Sequence, residues 1–299
     1  MTTAVDPWNG LRAAAATRAA ALGLPTRALE DWRYVDCAPL AQTFSGPAAD
    51  LDSIGFADLD AAAHADRWRQ HLTDDADLGA AWSLSRFASG AQAEIAPGKR
   101  ADLRVDLRGH DGDSGHRLVI HLGRGAEARL ILDQRLGTGR VNLGIEVDLA
   151  DGARLTVEEV QDGDDAGQLL STAWTRIGRD AALTWTASWR GGALVRARHR
   201  IRLEGPGADL DLAGLGRIDG TRQVHQHLRV EHRVGDTRSR QLVKNIIDGA
   251  GKASFDGLVY VAVGADRSDA EQTNHNLLLS EKGRADTRPQ LDIHADDVK

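Results

Sequence analysis

One cysteine, one methionine, two tyrosines and four phenylalanines are spread over 299 residues, and the 41% hydrophobic content contains no long apolar run. Cys37 alone cannot form an internal disulfide, which fits a reducing compartment, and it cannot supply a self-contained four-cysteine cluster site. Basic residues number 37 against 44 acidic ones, a net charge of −7, and no Lys/Arg cluster stands out, which argues against a nucleic-acid partner. Met1 to Gly10 holds no apolar core, and the run Ala13 to Ala16 is flanked by Arg12 and Arg18, so neither a signal peptide nor a membrane span is expected. The composition points to a cytoplasmic location.

What is present divides the chain in two. Leu11 to Leu22 is alanine-rich and is followed by Gly23 and Pro25, the punctuation of a helix end. Ala48 to Trp82 is rich in Ala, Asp and Leu, has Trp68 and Leu72 at helical spacing, and carries almost no β-branched residues, so a helix-rich region is expected there. After Pro97-Gly98 the pattern changes to alternation, as in Ala101-Asp102-Leu103-Arg104-Val105-Asp106-Leu107, the period of half-buried strands. We therefore expect a helical N-terminal domain over 1–95 and a β domain over 96–299.

Within the β part a turn phrase recurs at Gly125-Ala126, Gly152-Ala153, Asp180-Ala181, Gly207-Ala208 and, more loosely, Gly235-Asp236, every 27 or 28 residues. A near-constant period holding strand, turn and strand is the mark of a solenoid whose coils stack to bury one core, and a parallel β-helix fits best. Leucine-rich repeats would need regular Leu and Asn spacing and a helix per unit, which are missing. A propeller or jelly roll of antiparallel hairpins is left open by the period alone.

Each residue type with possible chemistry has a structural reading beside it. His225 and His227 share one strand face and could offer two metal nitrogens, but with Val224, Leu228 and Val230 toward the core, a solvated outer face of His225, His227, Arg229 and Glu231 is preferred. Gly249-Ala250-Gly251-Lys252 reads as a turn, because Ile246 and Ala253 break phosphate-loop spacing. Trp174, Trp185 and Trp189 could form a sugar-stacking platform, yet core anchoring is preferred. Cys37 reads as a small buried residue rather than a nucleophile. Asn274 and Asn276 could bind a ligand, but stacked asparagines that satisfy β-helix corners are preferred.

Leu258, Val259, Tyr260, Val261, Ala262 and Val263 are apolar in both strand phases. One phase fills the core, and the other is expected to lie under a partner or a second copy of the chain. Leu258, Val259, Tyr260, Val261, Val263, Asn274 and Asn276 are thus the candidate interface residues. No catalytic, cofactor-binding or metal-ligating residue is assigned.

The ordered words Glu231-His232, Arg240-Gln241-Leu242, Lys252-Ala253-Ser254-Phe255, Asn274-x-Asn276-Leu277-Leu278 and Pro289-Gln290-Leu291-Asp292-Ile293-x-Ala295-Asp296-Asp297-Val298-Lys299 closely resemble the SufD family, scaffold subunits of bacterial iron–sulfur cluster assembly. Gly23-Leu24-Pro25-Thr26 and Glu30-Asp31-Trp32-Arg33-Tyr34 are similar to that family's N-terminal signature. The resemblance implies a right-handed parallel β-helix, a non-catalytic scaffold, pairing with SufB, and a C-terminal helical domain that docks the ATPase SufC. It also implies a Cys/Ser-His-Gly-Ala segment after the final Asp-Asp-Val-Lys word, so the family's best-known site and the SufC-docking domain are expected beyond Lys299. Any iron–sulfur cluster is expected only transiently, on the full complex, and nothing reads as a flavin motif. Alone, the chain has reason to form a homodimer. The competing readings are a β-helical carbohydrate-active enzyme and a self-assembling structural solenoid.

Overall fold

The computed structural model describes residues 9–46, 49–60, 64 and 77–299. In chain order its strands are β1 (Ala49–Ile54), β2 (Ala57–Asp58), β3 (Phe87–Ile95), β4 (Arg100–Gly109), β5 (Asp113–Leu122), β6 (Glu127–Leu136), β7 (Arg140–Leu149), β8 (Arg154–Gly163), β9 (Gln168–Ile177), β10 (Ala182–Trp189), β11 (Leu194–Leu203), β12 (Asp209–Ile218), β13 (Gln223–His232), β14 (Arg238–Ile247), β15 (Lys252–Val261), β16 (Asp269–Leu278) and β17 (Arg284–Ile293). From β3 onward, successive strands alternate between two facing sheets, and within each sheet the neighbours are parallel. This is a β-solenoid of about seven coils. Parallel pairing excludes the hairpin architectures that the period had left open.

The repeat arises because each coil spends ten or so residues on a strand, turns, and returns along the opposite sheet. Val141, Leu143, Ile145, Val147 and Leu149 of β7 point inward in strict alternation and are at most 3% exposed. Such rows stack coil on coil into one continuous core. Each buried Leu, Ile or Val contributes about 1.5–3 kcal/mol relative to exposure.

The recurring turn phrase has a backbone cause. Gly98, Gly125, Gly152, Asp180, Gly207, Asp236 and Arg267 all have positive φ, the left-handed conformation that turns the chain between sheets. Their amides are also paired between coils: Gly125 N–H donates to Asp151 O at 2.9 Å and Gly152 N–H to Arg179 O at 2.8 Å. The residue after each turn, Ala126, Ala153, Ala181 and Ala208, is at most 1% exposed, so the phrase is a left-handed turn followed by a tightly packed corner. In the fifth copy the left-handed residue is Asp236, one later than the Gly235 that spacing suggested.

The N-terminal region differs in part from its expectation. Helix α1 (Asn9–Leu22) forms as read, and Gly23 closes it with φ +63° and an N–H···O bond to Ala19 of 3.1 Å. The expected helix-rich stretch, however, opens with β1 and β2, which pair antiparallel with β4 and β3 and so close off the first coil. Trp68 and Leu72 lie outside the described residues. Helix α2 (Leu78–Ser85) follows, its first turn capped by the Asp77 carboxylate accepting from Ala80 N–H at 3.2 Å.

α1, α2 and two short 3-10 turns at Glu30–Trp32 and Ala38–Ala41 pack over the outer face of the nine-stranded sheet. Leu11, Trp32, Leu40, Leu78, Trp82 and Val119 belong to this second apolar cluster. Buried arginines from the sheet finish the contact. The Arg196 guanidinium stacks on Trp32 at 4.1 Å and pairs with Asp77 at 2.8 Å, and Arg140 lies 4.8 Å from the Trp82 ring while donating to the carbonyls of Leu40 and Gln42.

Candidate functional site

The apolar run near residue 260 splits by strand phase. Val259 and Val261 point into the core with no exposure, whereas Leu258 and Tyr260 face outward and are half-buried. Tyr260 has the His294 ring at 5.5 Å and the Arg233 guanidinium at 5.9 Å beside it. Val263 stands in the following turn, 81% exposed. Of the expected face, then, Leu258, Tyr260 and Val263 are outside.

Asn274 and Asn276 sit on β16 itself, not at a corner, and point toward the interior of the last coil. Asn276 receives the Asn245 amide at 2.9 Å and donates to Asn274 at 2.7 Å, and Asn274 donates to Val243 O at 3.2 Å. The structural role holds, with strand stacking in place of corner stacking. Beside them the inward row is partly exposed. Ile247, Val259 and Val261 are fully buried, but their register partners one coil on, Leu278, Leu291 and Ile293, are 46%, 65% and 46% exposed. At the start of β16 the chain's final described residues pair back, Ala270 N–H donating to Lys299 O at 2.8 Å and Lys299 N–H to Ser268 O at 3.0 Å, and Ala295 and Val298 pack against the cluster of Val259 and Val261.

The histidine strand is where the sequence reading fails. Val224, Leu228 and Val230 do face the core, but His225 and Glu231 on the other face are 3% and 2% exposed. The segment carrying Asp31, Tyr34 and Val35 lies over His225 and His227, whereas Glu231 is enclosed by Arg200, Arg202, Arg229 and Arg233, so alternation marked the inner side correctly and said nothing of a cover contributed from 190 residues away. His225 bonds Ser254 and Gln223 at 2.7 Å each, and burial, reinforced by Arg196 and Lys252, pushes its pKa down to about 3.

His227 is the centre of a three-residue group with Asp31 and Asp256. It and Asp256 are register neighbours on β13 and β15, with Nδ1 3.2 Å from the Asp256 carboxylate. Nε2 faces the Asp31 carboxylate at 4.0 Å. Burial works to raise Asp256, but hydrogen bonds from His227 and Arg288 prevail and hold it below the usual carboxylate range. Arg288 also reaches Glu30. The cavity between these groups is about 10 Å³, the size of a single water or ion and far too small for an organic ligand.

Inside the solenoid lies a second polar group that the sequence reading missed. Glu159 is 3% exposed in the core and accepts from Trp185 Nε1 at 2.9 Å, Trp189 Nε1 at 3.2 Å and Gln134 Nε2 at 2.8 Å. Burial pushes its pKa up, opposed by these three donors. The two tryptophans are 1% exposed, so they anchor the core as preferred, and a sugar-stacking platform is ruled out at these residues. Gly214 on the next strand leaves room for Trp189, whose ring would sit 2.6 Å from any added Cβ. Cys37 is half-buried, its thiol pushed up by burial, in keeping with a structural role. Asp31, Asp77, Glu159 and Asp256 escaped notice because scattered acids carry no periodic signal. His227 and Asp256 are 29 residues apart, beyond the 27- or 28-residue period of the turn phrase, so alignment by that period would have placed Ser254 or Phe255 beside His227 instead.

A family model described as SUF system FeS cluster assembly, SufBD core domain, matches residues 107–299. The chain belongs to the SufBD family. Its relatives include an iron–sulfur cluster assembly SufBD family protein of Mycobacterium leprae, 29% identical over 74% of this chain and 59% of that protein. A Mycobacterium tuberculosis member is 31% identical over 62% of this chain and 48% of its own length. The Escherichia coli iron–sulfur cluster assembly protein SufD is 38% identical over 36% of this chain and 26% of its own. The chain thus spans about half to three-fifths of the mycobacterial relatives' length. SufBD proteins are scaffold-type components of iron–sulfur cluster assembly, and the likeness here is SufD-like. Among the described residues no helix is long and apolar enough to cross a membrane.

Proposed function

We propose that this SufBD chain is a non-catalytic scaffold subunit of the SUF iron–sulfur cluster assembly complex and that the outer face of β15 pairs with SufB. ATP hydrolysis is assigned to SufC, with SufC docking assigned outside the solenoid. The observation that carries the pairing is the apolar outer face of β15, where Leu258 and Tyr260 stand half-buried and Val263 in the following turn is 81% exposed, because a strand with one face in water alternates and this one is apolar in both phases. One half-buried cysteine offers no ligand set for a cluster, so the cluster is assigned transiently to the complex.

Co-expression with SufB and affinity capture tests this. SufB should be retained by the wild-type chain and lost when Leu258→Lys and Tyr260→Lys are combined, while the circular dichroism spectrum stays that of wild type. Retention of SufB by a folded double variant would move the interface elsewhere.

A further inference from the structure

We propose that His227 and Asp31 bind a divalent transition-metal ion of the zinc class, with Asp256 as the positioning residue, and that the ion fastens the N-terminal segment to the solenoid. The inference stands on side-chain geometry and is independent of any role in cluster assembly.

The two ends of the His227 ring are differently engaged. Nδ1 lies 3.2 Å from the buried Asp256 carboxylate, an arrangement that fixes ring orientation and directs the Nε2 lone pair outward. Nε2 then meets Asp31 at 4.0 Å, too far for a hydrogen bond. With zinc–nitrogen and zinc–oxygen bonds of about 2.0–2.2 Å meeting near the tetrahedral angle, the two donor atoms would stand about 3.4 Å apart, so an approach of the exposed Asp31 by about 0.6 Å seats one ion between them. Carboxylate, histidine and metal in line is how many zinc sites hold their imidazole.

Charge and access agree. The nearest cations are already matched, since Arg288 is paired with Asp256 and Glu30, and Arg196 and Arg198, the latter the register neighbour of His227 on β11, both face Asp77. Asp31 is therefore the carboxylate facing Nε2, and its 45% exposure leaves room for water to complete the coordination. A nitrogen and oxygen donor set favours zinc-class ions over magnesium or calcium, which prefer oxygen alone. Since Asp31 comes from the segment that covers the sheet, and His227 and Asp256 from β13 and β15, occupancy should stabilise the cover as well.

The test uses the full chain, stripped of metal, titrated with Zn²⁺ by calorimetry and with Co²⁺ as an optical probe. One Zn²⁺ per chain is expected, with a rise in Tm and no competition from a hundredfold excess of Mg²⁺. His227→Gln and Asp31→Asn should each weaken binding at least tenfold and abolish the Tm rise. Asp31 is exposed, so its variant keeps the test valid even where His227→Gln perturbs packing. Absence of saturable binding by the wild type, or wild-type affinity in either folded variant, overturns the proposal.

Discussion

Glu159 combines three N–H donors with complete enclosure, and the two act on it in opposite directions. Two carboxylate oxygens receive Trp185, Trp189 and Gln134, an arrangement that an amide cannot reproduce because its NH₂ would face an indole N–H. Glu159→Gln should therefore cost about 1–3 kcal/mol. The pH dependence follows from the raised pKa. Relative to its ordinary 4.5, the folded protein holds the Glu159 proton more tightly than the unfolded chain does. Its favourable contribution is complete below pH 4.5 and declines as pH rises through the folded value. The stability gap between wild type and Glu159→Gln should thus be largest near pH 4.5 and narrow toward neutrality, as measured by urea unfolding at a series of pH values.

At the scale of elements, the N-terminal segment is held on the sheet by a few buried polar ties. Asp77 caps α2 and pairs with Arg196, and both side chains are at most 2% exposed. Burial alone would raise the Asp77 pKa, but Arg196 and Arg198 overcome it and hold it at about 2. Removing the carboxylate strands a buried guanidinium, so Asp77→Ala should cost about 3–5 kcal/mol. With a folded value of about 2 against an ordinary 3.8, this contribution is complete above pH 3.8 and disappears as pH falls through 2. Wild type and variant should converge in stability toward pH 2. Limited proteolysis should cut the variant first in the N-terminal segment, since the solenoid's own ladder is untouched.

On the scale of the whole molecule, the stacked coils place one continuous core inside the solenoid and leave the outer faces to the N-terminal segment and to solvent. The outer face of β15 carries Leu258 and Tyr260, and Val263 in the turn after it is 81% exposed. Apolar faces left in water associate. Without a partner, the chain should self-associate in sedimentation velocity at tens of micromolar, and Leu258→Lys with Tyr260→Lys should return it to monomer at unchanged secondary structure. A wild-type monomer at those concentrations would count against this surface.

Local rules determined a good deal of this protein. The αL-plus-alanine phrase and the inward rows set the coil period, because turn conformation and strand alternation are properties of a few neighbouring residues. The family words at Arg240–Leu242 and Pro289–Lys299 pointed to SufBD from short stretches alone. Tertiary structure decided what covers what. The face of His225 and His227 looks like a water-facing row because its pattern is polar, and only the return of residues 31–36 across β13 and β15 turns it into a covered junction. In the same way, Glu159 reads as an ordinary strand acid until coil stacking brings Trp185, Trp189 and Gln134 around it. Burial by a distant segment leaves no periodic trace in the residues it covers, which is why the coils could be read from the chain and the junction could not.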